Sequence, residues 1–118
     1  MQESIFEQRL KKRNDTIRSQ IKEAIEDVKT FAQLLPIRER IIIFGSAARG
    51  EAQEHSDVDI LIDAETSIRA TEIELKIYKF FSERNIKIDL RWIGYCSEEF
   101  IEFTKPDWIV IQGGKNEQ

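Results

Sequence analysis

The sequence predicts one small α/β (α+β) domain in which a mixed β-sheet is flanked by helices. Three observations lead to this fold class. A chain of 118 residues has room for one hydrophobic core. Short β-branched stretches alternate with longer stretches of helical periodicity. Hydrophobic residues make up 41% and charged residues 34%, as in ordinary globular chains. We therefore expect residues 1–118 to form a single domain.

A helix is predicted over residues 4–35. Ser4 and Glu7 have the spacing of a capping box, and Pro36 marks the far end. Apolar residues recur at steps of three and four along its second half: Ile17, Ile21, Ala24, Val28, Phe31 and Leu35. The first half is much more polar, and Asn14, Asp15 or Thr16 could cap a second helix, so both one helix and two helices are open. Residues 1–20 are treated as a helical extension.

Four stretches have the length and composition of strands: residues 40–44, 57–63, 86–92 and 108–111. The first is β-branched and ends at Gly45, which suits a buried strand. The second alternates, so that Val58, Ile60 and Ile62 share one face while its acidic residues share the other. The third alternates in the same way. The sheet is therefore expected to have an apolar face and a face that carries charge.

Two further helices are predicted between these strands. One begins at Thr66 or Ser67 and ends at Asn85 in the left-handed conformation, and the other opens at Ser97. The first of them is expected to bury a row of side chains: Ile73, Ile77, Phe80 and Phe81. Residues 113–118 are predicted to be a disordered tail.

Composition and charge exclude several classes of protein. A net charge of −4 argues against a protein that holds duplex nucleic acid by neutralising phosphates. A short basic run at residues 9–13 could contact RNA or an acidic partner, although such runs are more often solvated helix faces. With one cysteine, Cys96, and one histidine, His55, a disulfide framework and a Cys/His zinc site are excluded. We see neither a membrane span nor a secretory signal, and expect a soluble cytoplasmic protein.

Three aspartates interrupt otherwise apolar strands and are the first candidates for chemistry. Asp57 and Asp59 lie two positions apart, so their side chains leave one face of a strand roughly 7 Å apart. Asp89 lies within a different apolar strand. Carboxylates gathered in a partly buried site repel one another, and a divalent cation such as Mg²⁺ relieves the repulsion. Asp63 shares the face of Asp59, but we expect it to be a solvated strand end.

Immediately upstream, Phe44-Gly45-Ser46 predicts a strand-to-helix turn. Such a turn presents unpaired backbone N–H groups to an anion. Gly45 lets a phosphate approach the backbone and the Ser46 hydroxyl adds a donor. Arg49 follows one turn later and Gly50 closes the short helix. A Gly-Ser pair alone is an ordinary turn, and the spacing is neither that of a Walker loop nor that of a dinucleotide fingerprint.

Taken together, these residues form a pattern that is much more specific than any one of them. Gly45-Ser46, ten intervening residues, Asp57-x-Asp59 and a later strand Asp89 resemble the nucleotidyltransferase superfamily that includes DNA polymerase β. More closely, Gly-Ser-Ala-Ala-Arg-Gly followed by Ser-Asp-Val-Asp-Ile is similar to the minimal nucleotidyltransferase family of bacteria and archaea. This resemblance extends over about residues 20–112 and implies a polymerase β-like fold.

The resemblance also implies a division of labour. Gly45 and Ser46 would hold the triphosphate of a nucleotide, ATP or another NTP. Asp57 and Asp59 would bind two Mg²⁺ ions that bridge the phosphates. Asp89 would share the metal near the acceptor hydroxyl and help to deprotonate it. Arg49 lies in the Ala-Arg-Gly segment of the family, where it would either reach a phosphate or steady the loop.

The implied reaction is transfer of a nucleoside monophosphate, AMP in the simplest case, to an acceptor hydroxyl with release of pyrophosphate. Small members of the family often act as antitoxins that attach AMP to a tyrosine of a helical HEPN ribonuclease toxin. We therefore expect a protein partner of this kind in a hetero-oligomer, without membrane association or direct nucleic-acid binding. The chain has no residues for the helical domain with which larger relatives hold the acceptor, so another polypeptide is expected to present it.

Two other functions stay open. The chain could neutralise its partner by occlusion without catalysis, although the intact set of aspartates argues against lost activity. It could also act on the ends of nucleic acids, which the acidic net charge disfavours.

Overall fold

The computed structural model describes residues 3–34, 40–63 and 70–112, and within these ranges a four-stranded mixed sheet carries helices on both faces. The predicted α/β class is therefore confirmed. In chain order the elements are helix α1 (Ile5–Ala32), strand β1 (Arg40–Phe44), helix α2 (Gly45–Ala48), strand β2 (Val58–Asp63), helix α3 (Ala70–Ser82), strand β3 (Ile88–Trp92), helix α4 (Glu98–Thr104) and strand β4 (Ile109–Gln112). Short 3₁₀ turns at Ile93–Tyr95 and Lys105–Asp107 flank α4.

The strands lie in the order β3-β2-β1-β4. β1 is antiparallel to both of its neighbours, and β2 is parallel to β3. In this register Asp59 lies opposite Phe44 of β1 on one side and opposite Asp89 of β3 on the other. The β2–β3 connection runs through α3, as a parallel pair requires.

The N-terminal region is one continuous helix, which settles the choice between one helix and two. The predicted capping box at Ser4 is confirmed: its hydroxyl accepts from the Glu7 N–H, and the Glu7 carboxylate accepts from the Ser4 N–H, both at 3.0 Å. The candidate internal cap Asn14 lies within the helix and bonds to a distant loop instead. Leu35 and Pro36, the predicted far end, lie outside the described residues.

The sheet buries one face almost completely. Alternate residues of the central strands pack against α1 and α3, and they include Ile41, Ile43, Ile60 and Ile62, all without exposed surface. The predicted inward row of α3 is confirmed as buried, and Asn85 adopts the predicted left-handed conformation at φ 58°. The predicted caps Thr66 and Ser67, and the tail from residue 113, lie outside the described residues.

The other face has a smaller apolar cover. Ile42, Phe44 and Leu61 pack against Phe100 of α4 and against Trp108, which lies between the turn Lys105–Asp107 and β4. The charged residues of this face lie where that cover ends. The predicted segregation of apolar and charged residues between the two faces is confirmed, except that Asp57 lies immediately before β2 and not within it.

Asp63 corrects an expectation. We expected a solvated strand end, but its carboxylate accepts two bonds from the Arg40 guanidinium, from Nε at 2.8 Å and from Nη2 at 2.5 Å. The β1–β2 register brings Arg40 directly opposite Asp63, and directly opposed residues on paired strands interact.

No helix within the described ranges is both long and apolar enough to cross a bilayer.

We predict that Ile60→Ala lowers the free energy of unfolding by about 2–5 kcal/mol, because it opens a cavity between the central strand and the helices. The matched control is Val110→Ala on the edge strand β4, where the side chain is 44% exposed and the cost is expected to stay below about 1 kcal/mol. Urea denaturation followed by circular dichroism measures both. Equal losses would contradict this assignment of the core.

Candidate active site

The turn after β1 is built around Gly45. Its φ of 75° lies in the left-handed region, which glycine adopts without steric cost. A Cβ at this position would lie 2.6 Å from Oδ2 of Asp59, so any side chain here would require the carboxylate to move. The turn closes through the N–H of Glu51, which donates to the carbonyl of Ser46 at 2.8 Å. The predicted strand-to-helix turn is thus observed, and it lies against a candidate carboxylate.

The Ser46 hydroxyl has no hydrogen-bond partner within the described part of the chain, and the residue is half-buried. It therefore remains available to a ligand that approaches the turn. This agrees with its predicted role as a donor, which stays a prediction.

The three predicted aspartates lie at one end of β2 and β3. Asp59 and Asp89 are register partners on adjacent parallel strands, whose backbones lie about 4.8 Å apart. Both side chains are half-buried, whereas Asp57 is exposed just before β2. The sequence placed Asp89 on a separate strand without indicating its neighbour, and the register supplies that neighbour.

Burial raises the pKa of Asp59 above its usual range, and the negative charges of Asp89 and Asp57 raise it further. The positive charge of Arg91 acts in the opposite direction. The group thus carries more negative charge than the protein compensates. A cation near Asp59 would relieve this imbalance.

The donor set fits a hard divalent cation. All the candidate ligand atoms are carboxylate oxygens, and Mg²⁺ usually takes only one or two carboxylates and completes its shell with phosphate and water. As they stand, no three acidic, histidine or cysteine side chains among the described residues come close enough together to hold one ion. The Asp59–Asp89 pair, with the exposed Asp57 beside it, is therefore the group that would hold a cation.

Arg91 is a residue of the site that was not predicted from the sequence. Its Nη2 lies 3.1 Å from Oδ2 of Asp89, and its guanidinium lies over the Phe100 ring at 4.9 Å from the centroid. The one signal in the sequence was the alternation of β3, which placed Arg91 on the same face as Asp89. A cavity of about 610 Å³ opens here, lined in part by Asp89, Arg91, Tyr95 and Phe100.

Arg49 is held by two carboxylates. Its Nε donates to Glu51 at 2.9 Å and its Nη1 donates to Asp107 at 2.7 Å, and these hydrogen bonds raise the pKa of Arg49. The side chain thereby ties the loop after α2 to the turn before β4. Of the two interpretations given above, this geometry favours the steadying of the loop, and the phosphate contact stays a prediction.

The loop between Gly50 and Asp57 is held by α1. Nε of Arg18 donates to the carbonyl of Ala52 at 2.7 Å, and the N–H of Glu54 donates to Oδ1 of Asn14 at 2.9 Å. These contacts give the helical extension a structural role, since they fix the segment that leads into Asp57. The sequence carried no signal for them because the partners are 34 and 40 positions apart.

His55 lies in this loop, exposed, in the left-handed conformation at φ 72°. Left-handed backbone is uncommon outside glycine, and histidine is among the residues that adopt it more readily. Within the described residues its observed role is therefore that of a turn residue.

Residues 21–111 match the family profile described as nucleotidyltransferase domain. A probable protein adenylyltransferase of Haemophilus influenzae, MntA, is 30% identical over 92 residues, which span 76% of this chain and 80% of that protein. A Methanocaldococcus jannaschii protein named as a protein adenylyltransferase, MJ0141, is 40% identical over 70 residues, 59% of this chain and 68% of that one. A crystal structure of a protein assigned as a nucleotidyltransferase from Sulfolobus solfataricus covers 84% of this chain and 82% of its own, at 23% identity and a TM-score of 0.37.

We predict that Gly45→Ala destabilises the protein more than Gly50→Ala does. Both glycines have φ near 75°, at 75° and 73°, so alanine is strained by about 1–2 kcal/mol at either position. At Gly50 a Cβ would have open space, whereas at Gly45 it must displace the Asp59 carboxylate, which adds about 1 kcal/mol or more. Urea denaturation of the two variants measures the difference, and equal losses would show that Asp59 does not press on the turn.

We predict that Asp59→Asn is more stable than the wild type at pH 7 in the presence of a chelator. The raised pKa means that folded Asp59 binds its proton more tightly than unfolded Asp59 does. Wild-type stability therefore falls, relative to the variant, as pH rises above the usual carboxyl value of 3.8. The urea midpoints of the two proteins, measured from about pH 4 to about pH 8, should diverge with rising pH. The exposed Asp15→Asn is the control, and a constant difference would contradict the assignment.

Proposed function

The chain belongs to the nucleotidyltransferase domain family, and we propose that this enzyme transfers AMP from ATP to a hydroxyl group of a partner protein. The general reaction, transfer of a nucleotidyl group, is that of the family. The nucleotide, the acceptor and the biological role are the proposed part.

One observation carries the proposal: the turn at Gly45 lies directly against the Asp59 carboxylate, so closely that a Cβ on residue 45 would come within 2.6 Å of Oδ2. A phosphate held by the turn would therefore be close to the group that would hold a cation. Phosphoryl transfer needs these two elements together, because its catalysis consists mainly of positioning and charge stabilisation.

Asp59 and Asp89, together with Asp57, would hold Mg²⁺, which when bound neutralises charge on the phosphates and on the departing pyrophosphate. The backbone of the turn at Gly45 and the Ser46 hydroxyl bind the triphosphate. These residues orient the α-phosphate with its leaving group away from the acceptor.

Asp89 is the carboxylate that we assign to the acceptor. It lines the cavity of about 610 Å³ and is half-buried, which supports access by a second substrate from that side. The acceptor hydroxyl gives its proton to an Asp89 oxygen and forms a bond to the α-phosphorus. The bond between the α-phosphorus and the bridging oxygen breaks, and pyrophosphate leaves with that oxygen.

The acceptor is proposed to be a protein, because the two relatives described above are named protein adenylyltransferases. By the resemblance of the motifs we propose a tyrosine of a HEPN-type toxin, which would make this chain the antitoxin of a hetero-oligomeric pair. The cytoplasm is the proposed compartment, since ATP is abundant there and Cys96 stays reduced.

A second candidate function, neutralisation by occlusion without catalysis, is favoured by one observation. The N-terminal half of α1 exposes apolar side chains, with Ile5 at 66% and Phe6 at 67% of their surface. Exposed apolar residues on one helix suit contact with another protein. The double variant described next separates binding of the partner from AMP transfer.

We predict that incubation with ATP, Mg²⁺ and the product of the adjacent gene adds the mass of AMP to that product. The double variant Asp57→Asn/Asp59→Asn should transfer at least about a hundredfold more slowly, because the cation loses its ligands, while Asp15→Asn should be unaffected. Intact-mass spectrometry measures both chains, and each of the other NTPs is tested in the same way.

Two results would count against parts of the proposal. Absence of any mass gain with every NTP would overturn the transferase activity. A double variant that is inactive but still neutralises the partner fully would establish occlusion as the biological mechanism.

A further inference from the structure

A positive charge already lies among the candidate metal ligands. Arg91 follows Asp89 by two positions on β3, so both side chains leave the same face of the sheet. Nη2 of Arg91 lies 3.1 Å from Oδ2 of Asp89. The charge of Arg91 also lowers the pKa of Asp59, against the direction set by burial and by the other carboxylates. Arg91 therefore compensates part of the negative charge of both aspartates.

The guanidinium has a second support that does not involve a carboxylate. It lies over the Phe100 ring at 4.9 Å, and that ring packs edge-to-face against Phe44 with centroids 5.9 Å apart. Phe44 is buried and precedes the Gly45 turn. A cation–π contact with a fixed ring gives Arg91 a position to keep when Asp89 has another partner. With half of its side chain exposed, at 50%, Arg91 is also free to change partners.

The Asp89 carboxylate thus has two possible partners. Asp89 has one oxygen engaged by Arg91, and a divalent cation bound by Asp59 and Asp89 would draw on that carboxylate too. Two positive charges close to one carboxylate repel each other, so the two partners compete. The Phe100 ring is uncharged and would not be drawn to the cation, so it can retain the Arg91 guanidinium when a cation binds.

We propose that Arg91 is the resident counter-charge of the Asp59–Asp89 pair, and that a divalent cation must displace it from Asp89 in order to bind. Arg91 is in this sense a positioning residue, since it acts through Asp89. It stabilises the site before the cation arrives and raises the cation concentration at which the site fills. This inference rests on the proposed function, because it takes the two aspartates as the cation ligands.

The test measures Mn²⁺ binding without nucleotide, by isothermal titration calorimetry on the full chain. Arg91→Gln removes the competing charge and should bind Mn²⁺ about three- to tenfold more tightly than the wild type. Arg91→Lys keeps the charge and should lie closer to the wild type than Arg91→Gln does. An affinity of Arg91→Gln equal to or weaker than that of the wild type would overturn the proposal.

Arg84→Gln is the matched control. Arg84 also pairs with an aspartate, Asp27 at 3.8 Å, and also lies over a phenylalanine, Phe80 at 3.7 Å. Its partners belong to α1 and α3 and not to the candidate site. Loss of its charge should leave Mn²⁺ affinity unchanged. An increase as large as that of Arg91→Gln would assign the effect to net charge and overturn the specific role.

Thermal unfolding supplies a readout that does not depend on activity. With a chelator present, Arg91→Gln should have a lower Tm than the wild type, because the aspartates lose their counter-charge. Mn²⁺ should then raise the Tm of the variant by more than it raises that of the wild type, since the tighter complex is stabilised more. A merely structural role would give equal increments, and that result would overturn the proposal.

Asp59→Asn separates this inference from the proposed function. It should abolish the binding measured with both the wild type and Arg91→Gln. If neither of these two proteins binds Mn²⁺, the inference is overturned, while the transferase activity is judged by the AMP transfer described above. If the wild type binds and Arg91→Gln is no tighter, the inference alone fails.

Discussion

The close approach of the Gly45 backbone to the Asp59 carboxylate is the contact on which the rest of the site depends. It requires a glycine at the end of β1, an aspartate opposite that end on β2, and a register that keeps the two in place. The register in turn is maintained by buried pairs next to this end of the strands, such as Ile43 opposite Ile60. A slip of one position would turn every side chain of β2 to the opposite face and separate the turn from the carboxylate.

The fold holds carboxylates close together in the candidate site although their charges repel each other. Two half-buried carboxylates side by side repel each other, and burial alone already raises the pKa of Asp59. The sheet tolerates this repulsion because its opposite face is fully packed. In addition, the positive charge of Arg91 offsets part of the negative charge of the two aspartates. Functional sites commonly retain such unfavourable arrangements, which the remainder of the fold compensates. The charge that destabilises this end of the sheet is the same charge that would attract a cation.

Features that depend on residues close together in the sequence could be predicted from it. The Ser4 cap, the left-handed Asn85, the turn at Gly45 and the alternation of β2 all follow from residue type and spacing, and the structure has them. Contacts between distant segments were not predictable in this way. Asp63 was misread because Arg40 becomes its neighbour only through the β1–β2 register. The support that Asn14 and Arg18 give to the loop before Asp57 likewise depends on where α1 crosses the sheet, which no spacing reveals.

The unequal cover of the two sheet faces explains how so small a chain can hold a polar site at all. One face is sealed by α1 and α3, and this supplies most of the core. The other is covered only over Ile42, Phe44 and Leu61, so the strand ends that carry Asp59 and Asp89 remain open to solvent and ligands. A larger cover would desolvate the aspartates further and raise the cost of their charge. A smaller one would expose Phe44 and release the Phe100 ring on which Arg91 rests. The extent of this apolar patch therefore affects both the packing of this face of the sheet and the accessibility of the site.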